Sequence, residues 1–237
     1  MAHPYTQSLP KYFLAPPPRR SIVQDERVDA ACRALNVVVA AVLIIVTLPL
    51  MALIAVAIKA TSRGPVLYRQ QRVGWNRRSP MSASEARELQ DAGGMPFTIY
   101  KFRTMVVQAP GAKQVWAAQD DPRVTKVGRW LRTTRLDELP QLFNVLLGDM
   151  NVVGPRPEQP DLVRTLVREI REYPVRLMVL PGITGLAQVT GGYDASIADV
   201  RRKVALDIEY LRRRSPLEDL RIMALTPMVM FLGRGAR

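Results

Sequence analysis

The sequence predicts an α+β chain, mainly helical, with one membrane-embedded helix, a small β-hairpin and amphipathic helices at the membrane interface. Three observations carry this: an uncharged apolar run near the N-terminus, two short β-rich segments split by a polar insertion, and charged helical patterns further on. They divide the chain into a flexible leader over residues 1–30, a membrane helix over 31–60 and a domain outside the bilayer over 61–237.

The leader carries Pro4, Pro10 and Pro16-Pro17-Pro18, followed by Arg19 and Arg20, and reads as partly polyproline-like. It is not a signal peptide, because the apolar stretch starts too late and runs too long. From Leu35 to Ile58 there are 24 residues without a charge. As a helix they extend about 36 Å, enough for a hydrocarbon core of roughly 30 Å. Pro49 lies past the middle, where it removes a helix hydrogen bond and forces a kink. Arg27 and Arg33 precede the run, and Lys59, Arg63, Arg69 and Arg72 follow it. Positive charge on both flanks sets no orientation. A plain span and a helix that bends at Pro49 and returns to the same face both remain open.

Residues 66–73 and 97–105 are rich in β-branched and aromatic side chains and predict a strand pair. Residues 76–96 between them are polar and contain Gly93-Gly94, the mark of a surface excursion. Leu139, Leu142, Phe143, Leu146 and Leu147 recur at helical spacing and predict a core-facing stripe. Residues 159–172 and 197–214 predict charged amphipathic helices. The second ends in Arg212, Arg213 and Arg214, which suits either a solvated face or anionic headgroups.

Composition narrows the chemistry. Hydrophobic residues make up 48% of the chain, too many for a mostly disordered protein, and the net charge of +13 calls for an anionic partner. Nucleic acid is disfavoured, because aromatics are only 6% and are not interleaved with arginine. Cys32 is the only thiol and His3 the only imidazole. An intrachain disulfide, a thiolate zinc site and a Ser-His-Asp centre are therefore all set aside. Carboxylates, arginine, lysine, hydroxyls and an oxygen-bound metal are what is left.

The adjacent Asp137 and Glu138 would diverge by about 100° on a helix. Pro140 belongs in a helix's first turn, so a helix is predicted to begin near Asp137. A carboxylate there either caps the helix or, kept ionised by the helix dipole beside Arg129, Arg132 and Arg135, attacks a phosphoryl group. Lys101 and Arg103 share a strand face with Ile99 and Met105. Gly154-Pro155-Arg156-Pro157 is a stiff turn that presents one guanidinium. Residues 181–191, with three glycines, predict a tight loop whose backbone can approach a ligand.

Several strings taken together resemble one family. They are Lys101-Phe102-Arg103-Thr104-Met105, Asp121-Pro122-Arg123-Val124-Thr125 with Gly128 and Leu131-Arg132, and Leu136-Asp137-Glu138-Leu139-Pro140-Gln141. Gly148-Asp149-Met150, Val153-Gly154-Pro155-Arg156-Pro157 and Pro181-Gly182-Ile183-Thr184-Gly185 follow in the same order. The chain resembles the bacterial sugar transferases, monotopic polyprenyl-phosphate phosphoglycosyl transferases of the exopolysaccharide-initiating type, over roughly residues 30–227.

The resemblance implies a re-entrant membrane helix kinked at Pro49, with both ends and the catalytic domain on the cytoplasmic face of the bacterial inner membrane. It implies transfer of a sugar-1-phosphate from a UDP-sugar to polyprenyl (undecaprenyl) phosphate. Asp137 would be the nucleophile, Glu138 its partner, and UMP the leaving group. Mg²⁺ would be held at Asp137 and Glu138, substrate phosphates by Lys101, Arg103 and Arg132, and the nucleotide end by Arg156. The implied partners are the UDP-sugar, polyprenyl phosphate and inner-membrane lipids, with homo-oligomerisation open and glucose or galactose as the sugar. Leu48, Leu180 and Gly192 depart from the family pattern, in which some members have serine before the proline and many have basic residues at the other two positions.

Overall fold

The architecture is that of a computed structural model, which describes residues 25–75, 94–107, 121–190 and 196–231. Most of the leader, most of the 76–96 insertion, and Gly191 and Gly192 lie outside these residues. The chain is mainly helical with a small antiparallel hairpin.

Helix α1 runs over Glu26–Thr61, starting five residues earlier than the sequence predicts. Asp25 caps it, accepting from Arg27 N at 3.0 Å. Pro49 sits inside one uninterrupted helix, and nearby the Thr47 hydroxyl donates to Leu43 O at 2.7 Å. Of the described helices, only α1 is long and apolar enough to cross a membrane. Its middle is open, with Ile45, Val46 and Leu53 all about 70% exposed (73%, 69% and 68%).

Both ends of α1 are nevertheless bonded to the rest of the chain. Near the start, Arg33 donates to Val145 O and Met150 O, and Asn36 Nδ2 donates to Asp219 Oδ2 at 2.7 Å. Asn36 Oδ1 accepts from Val153 N at 2.9 Å. Near the end, Met51, Ile54 and Ile58 pack with Phe102 and Leu131. Gly64 then turns the chain with φ of 119°, a conformation that favours glycine.

The predicted strand pair is present as β1 (Leu67–Gly74) and β2 (Met95–Phe102), antiparallel, with Leu67 opposite Phe102 and Gly74 opposite Met95. Helix α2 (Lys126–Thr134) follows, capped by the Thr125 hydroxyl on Gly128 N. A 3₁₀ turn (Leu136–Glu138) leads into helix α3 (Gln141–Leu147) and strand β3 (Asn151–Val153). Helix α4 (Pro160–Glu169), a 3₁₀ segment (Tyr173–Met178), strand β4 (Gly182–Thr184) and helix α5 (Leu186–Thr190) come next. Helices α6 (Ile197–Arg213) and α7 (Pro216–Phe231) complete the described chain. The main core joins Ala40 of α1 to Phe97 and Ile99 of β2, Leu142 and Val145 of α3, β3, Tyr210 of α6 and Ile222 of α7.

Three expectations are corrected. Only Leu142 of the predicted stripe is fully buried, while Phe143, Leu146 and Leu147 are exposed. Asn144 lies inward instead, because it accepts from Tyr100 N and donates to Thr98 O, tying α3 to β2. Over its described residues, 181–190, the predicted loop is not open to a ligand: Gly182–Thr184 form β4, parallel to β3. A Cβ on Gly182 would lie 2.1 Å from Gly154 N, and one on Gly185 2.3 Å from Gly154 O, so these two glycines serve contact between two backbones. Of the three terminal arginines of α6, Arg213 pairs with Glu209 and Arg214 with Asp29, so only Arg212 of the three is exposed with no such pair among the described residues.

Candidate active site

The predicted dyad sits one turn earlier than an α-helix start. Arg135 adopts the left-handed conformation (φ 56°), ends α2 and redirects the chain into the 3₁₀ turn that holds Asp137 and Glu138. Glu138 N donates back to Arg135 O at 3.1 Å, and Pro140 then opens α3. Asp137 occupies neither cap position, since Arg135 caps the 3₁₀ turn and Pro140 caps α3.

Glu138 is buried and paired twice. Lys101 Nζ and Arg156 Nη2 each lie 2.8 Å from Glu138 Oε1, and Arg156 Nη1 is 3.4 Å from Oε2. Burial alone would raise the Glu138 carboxyl, but Arg156 and Lys101 outweigh it and hold it well below the usual carboxylate range. Lys101 is lowered by its own burial, partly offset by Glu138. Arg156 is raised, foremost by Glu138.

Asp137 differs in every respect. It is half-buried and has no hydrogen bond or ion pair among the described residues. Burial, and then the adjacent Glu138 charge, push its carboxyl up to about 6, while Lys101, Arg156 and Arg132 pull the other way. A helix dipole is not the largest influence on this carboxyl: Asp137 lies in the 3₁₀ turn before α3, and burial dominates. One carboxylate is locked as an anion, and its neighbour is free and poised near neutrality. Such a group can act as a nucleophile or as a general acid and base, among cations that would offset charge on an anionic substrate.

The other predicted residues divide. Lys101 and Arg156 meet at Glu138, and exposed Arg132 lies within electrostatic range of Asp137. Arg103 does not join them. Its guanidinium donates to Arg63 O (2.5 Å), Ser62 O (2.9 Å) and Ser62 Oγ (2.8 Å), tying the end of α1 to β2. β2 ends at Phe102, one residue before Arg103, and the carbonyls left open at the helix end claim the long side chain. In this structure the guanidinium expected at substrate phosphate is engaged with Ser62 and Arg63 and not with Glu138.

No cluster of three or more His, Cys, Asp or Glu side chains able to hold a metal is present among the described residues. The available oxygens are Asp137 and the less engaged Oε2 of Glu138. That donor set fits Mg²⁺, which is commonly held by one or two carboxylates together with substrate phosphates.

Behind the dyad lies a set of residues that sequence reasoning missed. Arg176 Nη2 donates to Arg156 O at 2.9 Å and pairs through Nε with Asp207 Oδ2 at 2.8 Å. Arg72 Nη1 donates to Pro157 O at 3.2 Å. One signal was present: Asp207 falls on the stripe of α6 that also buries Val204 and Tyr210, an unusual place for a carboxylate.

The chain belongs to the bacterial sugar transferase family, which matches residues 28–233. It is 42% identical over 201 residues to a UDP-glucose:undecaprenyl-phosphate glucose-1-phosphate transferase of Caulobacter vibrioides, covering 84% of this chain and 69% of that one. It is 38% identical to the protein of the same name from Klebsiella pneumoniae (85% and 40%). It is 40% identical to a UDP-N-acetylgalactosamine-undecaprenyl-phosphate N-acetylgalactosaminephosphotransferase of Aeromonas hydrophila (86% and 44%). The chain thus spans less than half the length of the Klebsiella and Aeromonas relatives.

Proposed function

We propose that this chain is a phosphoglycosyl transferase that moves a sugar-1-phosphate from a UDP-sugar to undecaprenyl phosphate through a covalent aspartyl-phosphosugar. The observation that carries the reading is the division of the dyad: Glu138 held as an anion by Lys101 and Arg156, Asp137 left free beside it.

In the first step a carboxylate oxygen of Asp137 attacks the β-phosphorus of the UDP-sugar. The bond from that phosphorus to the bridging oxygen breaks, and UMP leaves with the electron pair. In the second step an oxygen of undecaprenyl phosphate attacks the same phosphorus, giving the lipid diphosphosugar and restoring the carboxylate. Lys101 and Arg132 offset charge on the phosphates. Arg156 holds Glu138 and faces the nucleotide end. Asp137 and Glu138 Oε2, with the pyrophosphate, would hold Mg²⁺, which would supply further charge neutralisation. Two steps let a soluble nucleotide and a membrane lipid use one carboxylate in turn.

We further read α1 as re-entrant at Pro49, with the domain on the cytoplasmic face of the inner membrane. What supports this is that Arg33 and Asn36 at one end, and Ser62 and Arg63 at the other, are bonded to one set of packed elements. A straight span would carry those ends to opposite sides of a bilayer. The exposed Phe143, Leu146 and Leu147 would face lipid.

The test is UMP release from membranes supplied with undecaprenyl phosphate and a panel of UDP-sugars, with UDP-glucose and UDP-galactose first. UMP release that needs no UDP-sugar, or none with any of the panel, rejects the reading.

A further inference from the structure

The turn that presents Arg156 cannot be fixed through donors of its own prolines. Pro155 and Pro157 have no N–H, so neither can join a backbone ladder as a donor. The turn is held from its acceptor side. Pro155 O accepts from Gly182 N at 2.9 Å, Arg156 O from Arg176 Nη2 at 2.9 Å and Pro157 O from Arg72 Nη1 at 3.2 Å. Two of the three donors are side chains.

Arg176 is itself buried, ion-paired and hydrogen-bonded. It is only 7% exposed, its Nε lies 2.8 Å from Asp207 Oδ2, and its Nη1 donates to Tyr173 Oη at 3.0 Å. Asp207 is 1% exposed. A buried ion pair is a weak source of net stability, since desolvation offsets much of the attraction. This pair has an additional geometric consequence: it aims one guanidinium nitrogen at the carbonyl of the residue whose own guanidinium grips Glu138.

We propose that Arg176, anchored on Asp207, and Arg72 are positioning residues that fix the Pro155–Pro157 turn so that Arg156 reaches Glu138 beside Asp137. The inference rests on the proposed reading of the dyad. Arg156 is a long side chain on a short turn, so a small movement of its backbone displaces the guanidinium from the carboxylate. A misplacement of about 1 Å far from the chemistry can lower a rate on the order of 10²-fold.

The test is a double-mutant cycle on steady-state UMP release, using undecaprenyl phosphate and whichever of UDP-glucose and UDP-galactose the wild type turns over. The first arm is Arg176→Met with Asp207→Leu, which removes both charges together and leaves neither buried alone. The second arm is Arg72→Met, on a strand at the edge of the site. Each is made in the wild type and in an Arg156→Met background. The expected result is a loss on the order of 10²-fold for the first arm in the wild type, and less than about twofold in the Arg156→Met background. Arg72→Met should show the same pattern with a smaller loss, and it decides the question if the first arm does not fold. Equal factors in both backgrounds would mean that these residues act on the fold alone, and would overturn the inference. If Arg156→Met itself left turnover unchanged, the reading of the dyad would fail instead.

Discussion

Lys101 Nζ lies 2.8 Å from Glu138 Oε1, and this contact sets the charge at the next residue as well as its own. The Lys101 cation lowers Asp137 while the Glu138 anion raises it. The two substitutions that break the contact should therefore move Asp137 in opposite directions. The wild-type acid limb of kcat/KM should fall at about pH 6, where Asp137 takes up its proton. Lys101→Met should shift that limb to higher pH, and Glu138→Gln should shift it to lower pH while reducing turnover. Shifts in the same direction would show that the limb belongs to another group.

The same carboxyls bear on stability. Asp137 is raised in the folded chain, so its proton stabilises the fold at low pH, and this contribution disappears as pH rises towards about 6. Glu138 is depressed, so its contribution is present above the ordinary carboxylate range and is lost as pH falls through its lowered value. Asp137→Asn should thus be more stable than the wild type above pH 6, because the burial penalty on the charge is gone. Thermal melts in detergent at pH 5 and pH 7.5 check the sign, and a larger gain at pH 5 would contradict it.

Asp219 is fully buried and accepts from Asn36 Nδ2 at 2.7 Å and Tyr210 Oη at 2.8 Å. Asp219→Ala leaves both donors without this acceptor. At about 1–3 kcal/mol per unsatisfied buried group, the loss should be about 2–6 kcal/mol. Asp219→Asn, which keeps an acceptor, should lose less. Equal melting temperatures for Asp219→Ala and the wild type would show that this junction between α1 and α7 contributes no stability.

Topology can be read from labelling. Single cysteines at residue 10 and near residue 63, in a Cys32→Ser background, should both be protected from a membrane-impermeant thiol reagent in intact cells and accessible in inverted vesicles. Pro49→Ala restores a helix bond worth roughly 3 kcal/mol and should shift some molecules towards a spanning state. Labelling at residue 10 in intact wild-type cells would rule out the re-entrant reading.

The sequence and the folded chain agree where the determinants are local. The β-branched runs either side of the insertion form β1 and β2, and the charged periodicity after residue 159 forms α4 and α6. Agreement ends where long-range contacts decide. Strand β4 is three residues in a glycine-rich stretch and exists only because β3, about thirty residues earlier, lies beside it. Periodicity put Phe143, Leu146 and Leu147 on one side of a helix but not what that side meets. Asp137 and Glu138 are adjacent in sequence yet end with opposite shifts, because Lys101 and Arg156 arrive from distant elements and pair with only one of them. The bonds of Arg103 were hidden for the same reason: its partners are forty residues away at the end of α1.

Divalent-ion dependence follows from the donor set. With no protein cluster of three ligands among the described residues, a cation would bind weakly without substrate and more tightly with the pyrophosphate present. Mn²⁺ binding followed by electron paramagnetic resonance should strengthen on adding UDP-glucose or UDP-galactose, and EDTA should abolish UMP release until Mg²⁺ is restored. Full activity in excess chelator would mean that Lys101, Arg132 and Arg156 alone carry the neutralisation.

The covalent step at Asp137 is tested most directly by isotope exchange. Purified protein, a UDP-sugar that it turns over and labelled UMP are incubated without any polyprenyl phosphate. A free, ionisable Asp137 beside a locked Glu138 predicts label appearing in the UDP-sugar, a phosphosugar adduct on the peptide containing Asp137, and loss of both in Asp137→Asn. Exchange that strictly requires the lipid acceptor, or that persists in Asp137→Asn, would contradict the covalent step and point to direct transfer between the two substrates.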